Sequence, residues 1–172
     1  MSDEQIQRLE LILIAAIGSN YAIGQNGQMP WPNREYKEDM KRFKELTSGN
    51  PVIIGRKTYE SLPIQPLKNR QNIVLSRNHN YNPHPDVIVE HSIQKVIFNL
   101  AKEQTPKAYV MGGAAIYKLA MPLADTLQIT HIKKPYEADT FFPEINMDLW
   151  KIENEEQCVE DNRLTFVTYT KR

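Results

Sequence analysis

Two sets of residues in this chain have the types and spacing to do chemistry. The first centres on Asp39. Phe43 follows it by four residues and Thr47 by eight, so a helix through this stretch stacks all three on one face with the carboxylate uppermost. Just upstream, Met29-Pro30-Trp31 is apolar and kinked, costly to leave in water unless it closes over something. An acid opening onto such a pocket can accept two parallel hydrogen bonds from the N–H groups of a ligand, and it can hold a proton. The competing interpretation is a solvated face, because Glu35, Lys37, Glu38, Lys41, Arg42, Lys44 and Glu45 share the stretch and charged residues are rarely buried. The apolar tripeptide turns the balance toward an enclosed acid.

The second set could hold anions. Gly55 ends an apolar run and is followed by Arg56, Lys57 and Thr58, which place two cations and a hydroxyl at a helix start. Gly112-Gly113 brings bare backbone to another helix start, where a pyrophosphate could approach without meeting a side chain. Ser76-Arg77 adds a hydroxyl and a guanidinium after QNIVL. Two separated anion sites on one sheet edge suit a dinucleotide. Each junction by itself is more often only a turn, and neither is a G-x-G-x-x-G motif or a P-loop.

The hydrophobic pattern supplies the elements that must position these groups. Leu9 to Ile17 is apolar on both faces, as in a central strand covered from both sides. It runs into a loop where Gly24, Asn26 and Gly27 suit tight reversals and Pro30 and Pro32 interrupt regular hydrogen bonding. The Asp39 helix is predicted from Glu35 onward, with Met40, Phe43 and Leu46 as its apolar face. Pro51 to Ile54 is a short buried strand stopping at Gly55, and Arg56 to Ser61 begins a helix. Gln71 to Leu75, Asp86 to Val89 and Lys107 to Met111 are further strands, and Ser92 to Lys102 is a helix with Ser92 as its N-cap. A helix with Ile116, Tyr117 and Leu119 follows Gly112-Gly113, and Thr126 to Ile132 is again strand-like. Trp150 to Glu156 and Leu164 to Thr170 form a terminal hairpin around Asp161-Asn162. The alternation predicts an α/β fold: a single domain over residues 1–172, with a mostly parallel twisted sheet flanked by helices and an antiparallel C-terminal edge strand. Such sheets bind ligands at the carboxyl ends of their strands, where all these motifs fall.

Composition removes other classes of function. Lys and Arg number 21 against 21 Asp and Glu, so no basic field draws the chain to nucleic acid. One cysteine, Cys158, cannot form an internal disulfide, and the opening MSDEQIQR is not a basic start followed by an apolar core. The longest apolar run, Leu11 to Ile17, falls far short of the about 20 residues a membrane helix needs. The chain is expected to be soluble, cytoplasmic and monomeric, to act on small molecules rather than nucleic acid or membrane, and to use no metal.

The order MPW, Asp39-x-x-x-Phe43-x-x-x-Thr47, GRKTYES, NIVLSR, MGGAAIY and ITHI resembles the dihydrofolate reductases of the bacterial chromosomal type along nearly the whole chain. Any one motif is weak; their joint order and spacing is highly specific. The resemblance implies NADPH as cofactor and reduction of 7,8-dihydrofolate to tetrahydrofolate, by hydride transfer to pterin C6 with protonation of N5. It also implies a place in one-carbon metabolism and a site open to antifolate inhibitors. Asp39, Met29, Trp31 and Thr130 are assigned to catalysis, with the Met29 loop excluding water and the Thr130 hydroxyl supporting the acid. Ile14, Ala16, Phe43, Leu62, Leu67, Met111 and Tyr117 are assigned with Asp39 and Thr130 to the substrate pocket, and Arg70 to the α-carboxylate of the folate glutamate. On the cofactor side the resemblance assigns Ala16, Ile23, Gly55, Arg56, Lys57, Thr58, Ser76, Arg77, Gly112, Gly113, Ala114, Ala115 and Tyr117, with Arg77 directed to the 2′-phosphate.

Some positions depart from the family pattern. The segment PNREYKE between Trp31 and Asp39 is longer than in the commonest bacterial form and lacks the usual Leu-Pro, so Glu35, one helical turn earlier, is a competing acid. Ala138 replaces the usual glycine before Asp139, Ala114 the usual third glycine, and Ala115 an expected arginine. Cys158, lying toward the C-terminal hairpin without a partnered base, is not expected to be a nucleophile. Two rival functions stand beside this one. The pyrimidinone reductase of riboflavin synthesis shares the fold and the NADPH site but lacks MPW and the Asp-x-x-x-Phe pairing, and a nucleotide-binding regulatory module would keep the cofactor site without catalysis.

Overall fold

The structure is a computed structural model that describes residues 8–172; the polar residues MSDEQIQ, part of the argument for a cytoplasmic location, lie outside it. In chain order it begins with β1 (Glu10–Ile17), β2 (Ala22–Gly24), α1 (Lys37–Thr47), β3 (Val52–Gly55), α2 (Arg56–Ser61), β4 (Asn72–Leu75) and β5 (Val87–Glu90). It continues with α3 (Ile93–Lys102), β6 (Lys107–Val110), α4 (Ala114–Ala120), a 3₁₀ turn (Met121–Leu123), β7 (Thr126–Ile132), β8 (Thr140–Phe141), β9 (Trp150–Gln157) and β10 (Leu164–Lys171).

Eight strands form one sheet in the order β5-β4-β3-β6-β1-β7-β10-β9. The strands from β5 to β7 run parallel, and β10 lies antiparallel between β7 and β9. β1 is apolar on both sides because it is flanked by β6 and β7 and covered on both faces; Leu13 and Ile17 have no exposed surface. With six neighbouring strands pointing one way, their carboxyl ends share one edge, and the loops carrying the expected site residues emerge there.

Local chemistry explains most element boundaries. The Ser92 hydroxyl accepts the Lys95 N–H at 3.1 Å and caps α3 as predicted. The hairpin turn is closed by the Arg163 N–H donating to Asp161 Oδ1 at 3.0 Å and the Leu164 N–H to the Asp161 carbonyl at 3.1 Å. Two expectations need correction. α1 begins at Lys37 rather than Glu35, because the Glu35 N–H closes a turn onto the Pro32 carbonyl at 3.1 Å and Arg34 takes a left-handed φ of 64°. Met40 does not join the apolar face of α1: it is 45 % exposed, and the inward side chains include Phe43, Leu46 and the fully buried Thr47. A third feature is new. β2 and β8 pair as a separate antiparallel ribbon, too short at three and two residues to show a sequence period.

Packing ties α1 to the sheet through Phe43 and Leu46, which meet Ile12 and Ile14 of β1, Val52 of β3 and Tyr109 of β6. Opposite Phe43, the loop between α2 and β4 is pinned by Asn72. Its side chain is buried, accepts the Leu67 N–H at 2.9 Å, and donates to the carbonyls of Leu67 and Arg70 at 2.9 Å each. This amide thereby sets the backbone of two residues expected to face the substrate. Asn72→Leu leaves those backbone groups without their partner and is expected to destabilise the fold by about 2–4 kcal/mol in urea unfolding. It is also expected to weaken dihydrofolate more than NADPH.

Candidate active site

Asp39 stands in the first turn of α1 and faces β7. Thr130, its expected polar partner, is only 4 % exposed and lies in register between Ala16 of β1 and Phe166 of β10. The acid keeps part of its surface open to the cleft, yet protein surrounds its carboxylate. Desolvation is the strongest influence and raises its pKa above the ordinary carboxylate range; a hydrogen bond from Thr130 and the charge of Arg42 oppose it. Glu35, the competing acid, is drawn elsewhere: outside the helix, it pairs at 2.7 Å with Arg163 Nη1.

The expected wall residues gather in adjoining clusters. Ile14, Phe43, Leu67 and Met111 pack together, and Met111 also touches the cluster holding Leu62. Arg70 is half-buried, its guanidinium 5.8 Å from the centre of the Phe43 ring, its Nη1 donating to Thr47 Oγ1 at 3.0 Å and its Nε to the Lys68 carbonyl at 2.8 Å. No carboxylate among the described residues lies within ion-pairing distance of it. Thr47 was placed by sequence one turn below Phe43 on the Asp39 face but was given no role there. Tyr117 is buried and its hydroxyl donates to the Ile14 carbonyl at 2.7 Å; burial, with Asp39 nearby, pushes the phenol far above its usual range, so it stays neutral.

The Met29–Trp31 segment divides. Met29 is 53 % exposed, so it does not cover Asp39 as expected. Trp31 is buried and packs edge-on against Tyr36 and Tyr136, with ring centres 5.6 and 5.4 Å away. The two tyrosine hydroxyls are hydrogen-bonded to each other, and Arg163 stacks 4.6 Å over the Tyr36 ring while pairing with Asp161 at 2.8 Å. The longer PNREYKE segment is thus anchored by aromatic contacts that its sequence gave no means to foresee. Cys158 joins this same cluster, nearer Trp31 than its place in the hairpin suggested, but burial raises its thiol pKa and keeps it protonated. Asp139 links the loops despite Ala138: its Oδ2 accepts the Asn26 N–H at 2.9 Å and its own N–H donates to the Gly24 carbonyl at 3.0 Å.

The two glycine junctions, expected to be separate, touch. The Gly55 N–H donates to the Gly112 carbonyl at 2.8 Å, and a Cβ on Gly113 would lie 2.8 Å from Thr58 Oγ1. A Cβ on Gly112 would press on the Tyr117 ring at 3.2 Å, and φ there is +114°. The starts of α2 and α4 therefore meet as one surface. With six and seven residues these helices are short, so little macrodipole supports an anion there. Neither has a side-chain N-cap, which leaves the first-turn N–H groups, Ala114 and Ala115 included, as the donors of this surface. Ser76 is buried and Arg77 exposed on the adjoining end of β4, and His91 Nδ1 holds the Ser76 carbonyl at 2.7 Å. Lys57 is exposed, while Arg56 is engaged by Glu60 at 3.1 Å. Ile23 on β2 is half-buried against the cluster that holds Tyr117, and Ala16 on β1 is half-buried against the cluster that holds Trp31.

Comparison with known proteins follows the same outline. The sequence model of the dihydrofolate reductase family matches residues 10–171. A dihydrofolate reductase of Neisseria gonorrhoeae is 41 % identical over 165 residues, covering 94 % of this chain and 98 % of that protein. That of Haemophilus influenzae is 39 % identical over 153 residues, covering 88 % and 91 %. Among solved structures, an Enterococcus faecalis dihydrofolate reductase complexed with NADP(H) and RAB-propyl superposes with a TM-score of 0.84 at 32 % identity, covering 95 % of this chain and 96 % of that one.

The enclosed acid has a consequence for stability. Because its folded pKa is raised above the unfolded value, the stability it contributes is fully present below the unfolded pKa, about 3.9, and is lost as pH rises through the folded pKa. Asp39→Asn is therefore expected to unfold a few degrees above the wild type at pH 7 in the absence of ligand, with the gap closing toward pH 4 in thermal melts.

Proposed function

The chain belongs to the dihydrofolate reductase family, and from that premise we propose an assignment of its site. It reduces 7,8-dihydrofolate to 5,6,7,8-tetrahydrofolate with NADPH, an oxidoreductase reaction of folate and one-carbon metabolism. The observation that carries the assignment is the enclosed carboxylate of Asp39, beside Thr130 at the carboxyl ends of β1 and β7.

In this reading Asp39 accepts the paired N–H groups of the pterin, a task for which an acid suits better than an amide because both its oxygens are acceptors. Thr130 donates to it and holds its orientation. The raised pKa lets the same group sustain the supply of the proton that reaches N5. Ile14, Ala16, Phe43, Leu62, Leu67 and Met111 exclude water around the ring, and Arg70, already ordered by Thr47, takes the glutamate α-carboxylate. Trp31 is a fixed wall. Met29 is the part of the loop left free to close over the ring.

The residues present fit the cofactor. Bare backbone at Gly112 and Gly113 and the free first-turn N–H groups of α4, at Ala114 and Ala115, suit a pyrophosphate. Thr58, which lies against Gly113, with Lys57, Ser76 and Arg77 takes the adenosine end in this reading, and Ala16, Ile23 and Tyr117 the nicotinamide end. When bound, NADPH supplies the hydride that the pterin receives at C6. Arg77 is a better candidate than Arg56 for the 2′-phosphate, since Arg56 shares its charge with Glu60 in an ion pair and Arg77 has none among the described residues. The enzyme acts in the cytoplasm as a monomer and is open to antifolate inhibitors. No helix among the described residues is long and apolar enough to cross a membrane.

Loss of NADPH absorbance in the presence of dihydrofolate tests the activity, and two sets of variants test the site. Asp39→Asn is expected to slow the chemical step near neutral pH by a factor on the order of 10² or more and to recover partly at low pH, where solvent protonates the substrate. Glu35→Gln should change it less than about twofold, as expected for a group outside the acid–base machinery; the reverse pattern would move the acid to Glu35. Arg77→Leu should weaken NADPH on the order of tenfold while leaving NADH nearly unchanged, because only NADPH carries the extra phosphate. Equal losses would remove Arg77 from that contact.

A further inference from the structure

Arg42 stands one turn after Asp39 on α1, and the structure fixes its charge in place. Its Nη2 donates to Gln128 Oε1 at 3.2 Å, and its guanidinium lies over the Phe166 ring, 4.6 Å from the centre. The same Gln128 oxygen accepts the Thr168 hydroxyl at 2.9 Å. Gln128 and Thr130 project from one face of β7, two residues apart, and pair in register with Thr168 and Phe166 of β10. A one-turn step along the helix is thereby set against a two-residue step along the strand: Asp39 faces Thr130 while Arg42 grips Gln128. Among the described residues no carboxylate lies within ion-pairing distance of Arg42.

We propose that Arg42 is a positioning residue of the reaction: a cation anchored by Gln128 and Phe166, it biases Asp39 toward its ionised, doubly accepting form and so sets the pH range in which the enzyme works. This rests on the assignment of Asp39 as the acid. The groups facing Asp39 are Arg42 on its own helix, the Thr130 hydroxyl on β7 and the neutral phenol of Tyr117 on α4. Those facing Arg42 are Gln128, Phe166 and Thr168, with Tyr109 of β6 and, beyond it, Glu10 of β1. Arg42 is therefore the only cation among the groups named around the acid, and it acts against the desolvation that favours the proton-bound form.

The test compares wild type, Arg42→Met, Arg42→Lys and Gln128→Leu, each with and without Asp39→Asn. The readouts are the pH profile of the single-turnover rate with both ligands saturating, and the pH dependence of unfolding of the ligand-free protein. In Arg42→Met the pH at which the rate falls should move up by roughly one unit, as expected on losing a nearby opposite charge, with the acidic plateau changed less than about twofold. The pH dependence of unfolding should move the same way. Arg42→Lys should restore most of both shifts. Gln128→Leu, which frees the guanidinium without removing it, should move the midpoint in the same direction by less, and it serves if Arg42→Met folds poorly. In the Asp39→Asn background none of these changes should move the profile further. A uniformly lower rate with unmoved midpoints would reduce Arg42 to a packing residue and overturn the inference. If Asp39→Asn itself leaves the rate and its pH profile intact, the assignment of the acid fails instead, and the two failures are told apart.

Discussion

A carboxylate held between a helix and a sheet, away from most of the water that would stabilise its charge, is the constraint on which the rest of this structure turns. Burying such a group costs free energy unless hydrogen bonds and charges offset it, and here Thr130 and Arg42 do so only in part. The remainder leaves a carboxylate whose charge a donor to both of its oxygens would stabilise. It also explains the surrounding order: Phe43 and Leu46 hold α1 on the sheet so that Asp39 cannot turn outward, and the central β1, covered on both sides, offers a rigid floor. Stability at neutral pH and readiness to bind are opposed at this one residue.

The cofactor side answers a different physical demand. Two strand-to-helix junctions approach closely at this sheet edge, through the contact of Gly55 with Gly112 and of Thr58 with Gly113. A side chain at Gly113 would force the junctions apart. Backbone donors, rather than helix dipoles of six and seven residues, are therefore what this surface chiefly offers an anion. The nearby exposed Arg77 and Lys57 supply charge.

Between the two sides, the long entry to α1 is secured by Trp31, Tyr36, Tyr136 and Arg163, which join three separate segments of the chain. This anchoring buries Trp31 while leaving Met29 exposed. Asp139 adds a second tie from the same β7–β8 connection to the loop at Asn26, made through backbone N–H groups and so indifferent to the alanine at position 138.

Much of this was legible in the residues themselves. The double-sided apolar run of β1, the N-cap Ser92, the glycine-ended strands and the spacing of Asp39, Phe43 and Thr47 are local signals, and each rests on periodicity or backbone conformation that acts within a few residues. The order of the motifs was enough to indicate the family. What tertiary structure alone decided lies in contacts between distant segments. Glu35 lies outside α1 and is paired because Arg163, far along the chain, captures it; Met40 faced outward once Phe43 and Leu46 had chosen the buried side of α1; the two glycine junctions became one surface because β3 and β6 are neighbours in the sheet though not in sequence. Arg42 read as one more solvated charge, since nothing within a helical turn reveals that Gln128 and Phe166 wait across the interface. Local propensity is encoded residue by residue, whereas a charge acquires its pKa and its partner only from the field of everything the fold brings near it.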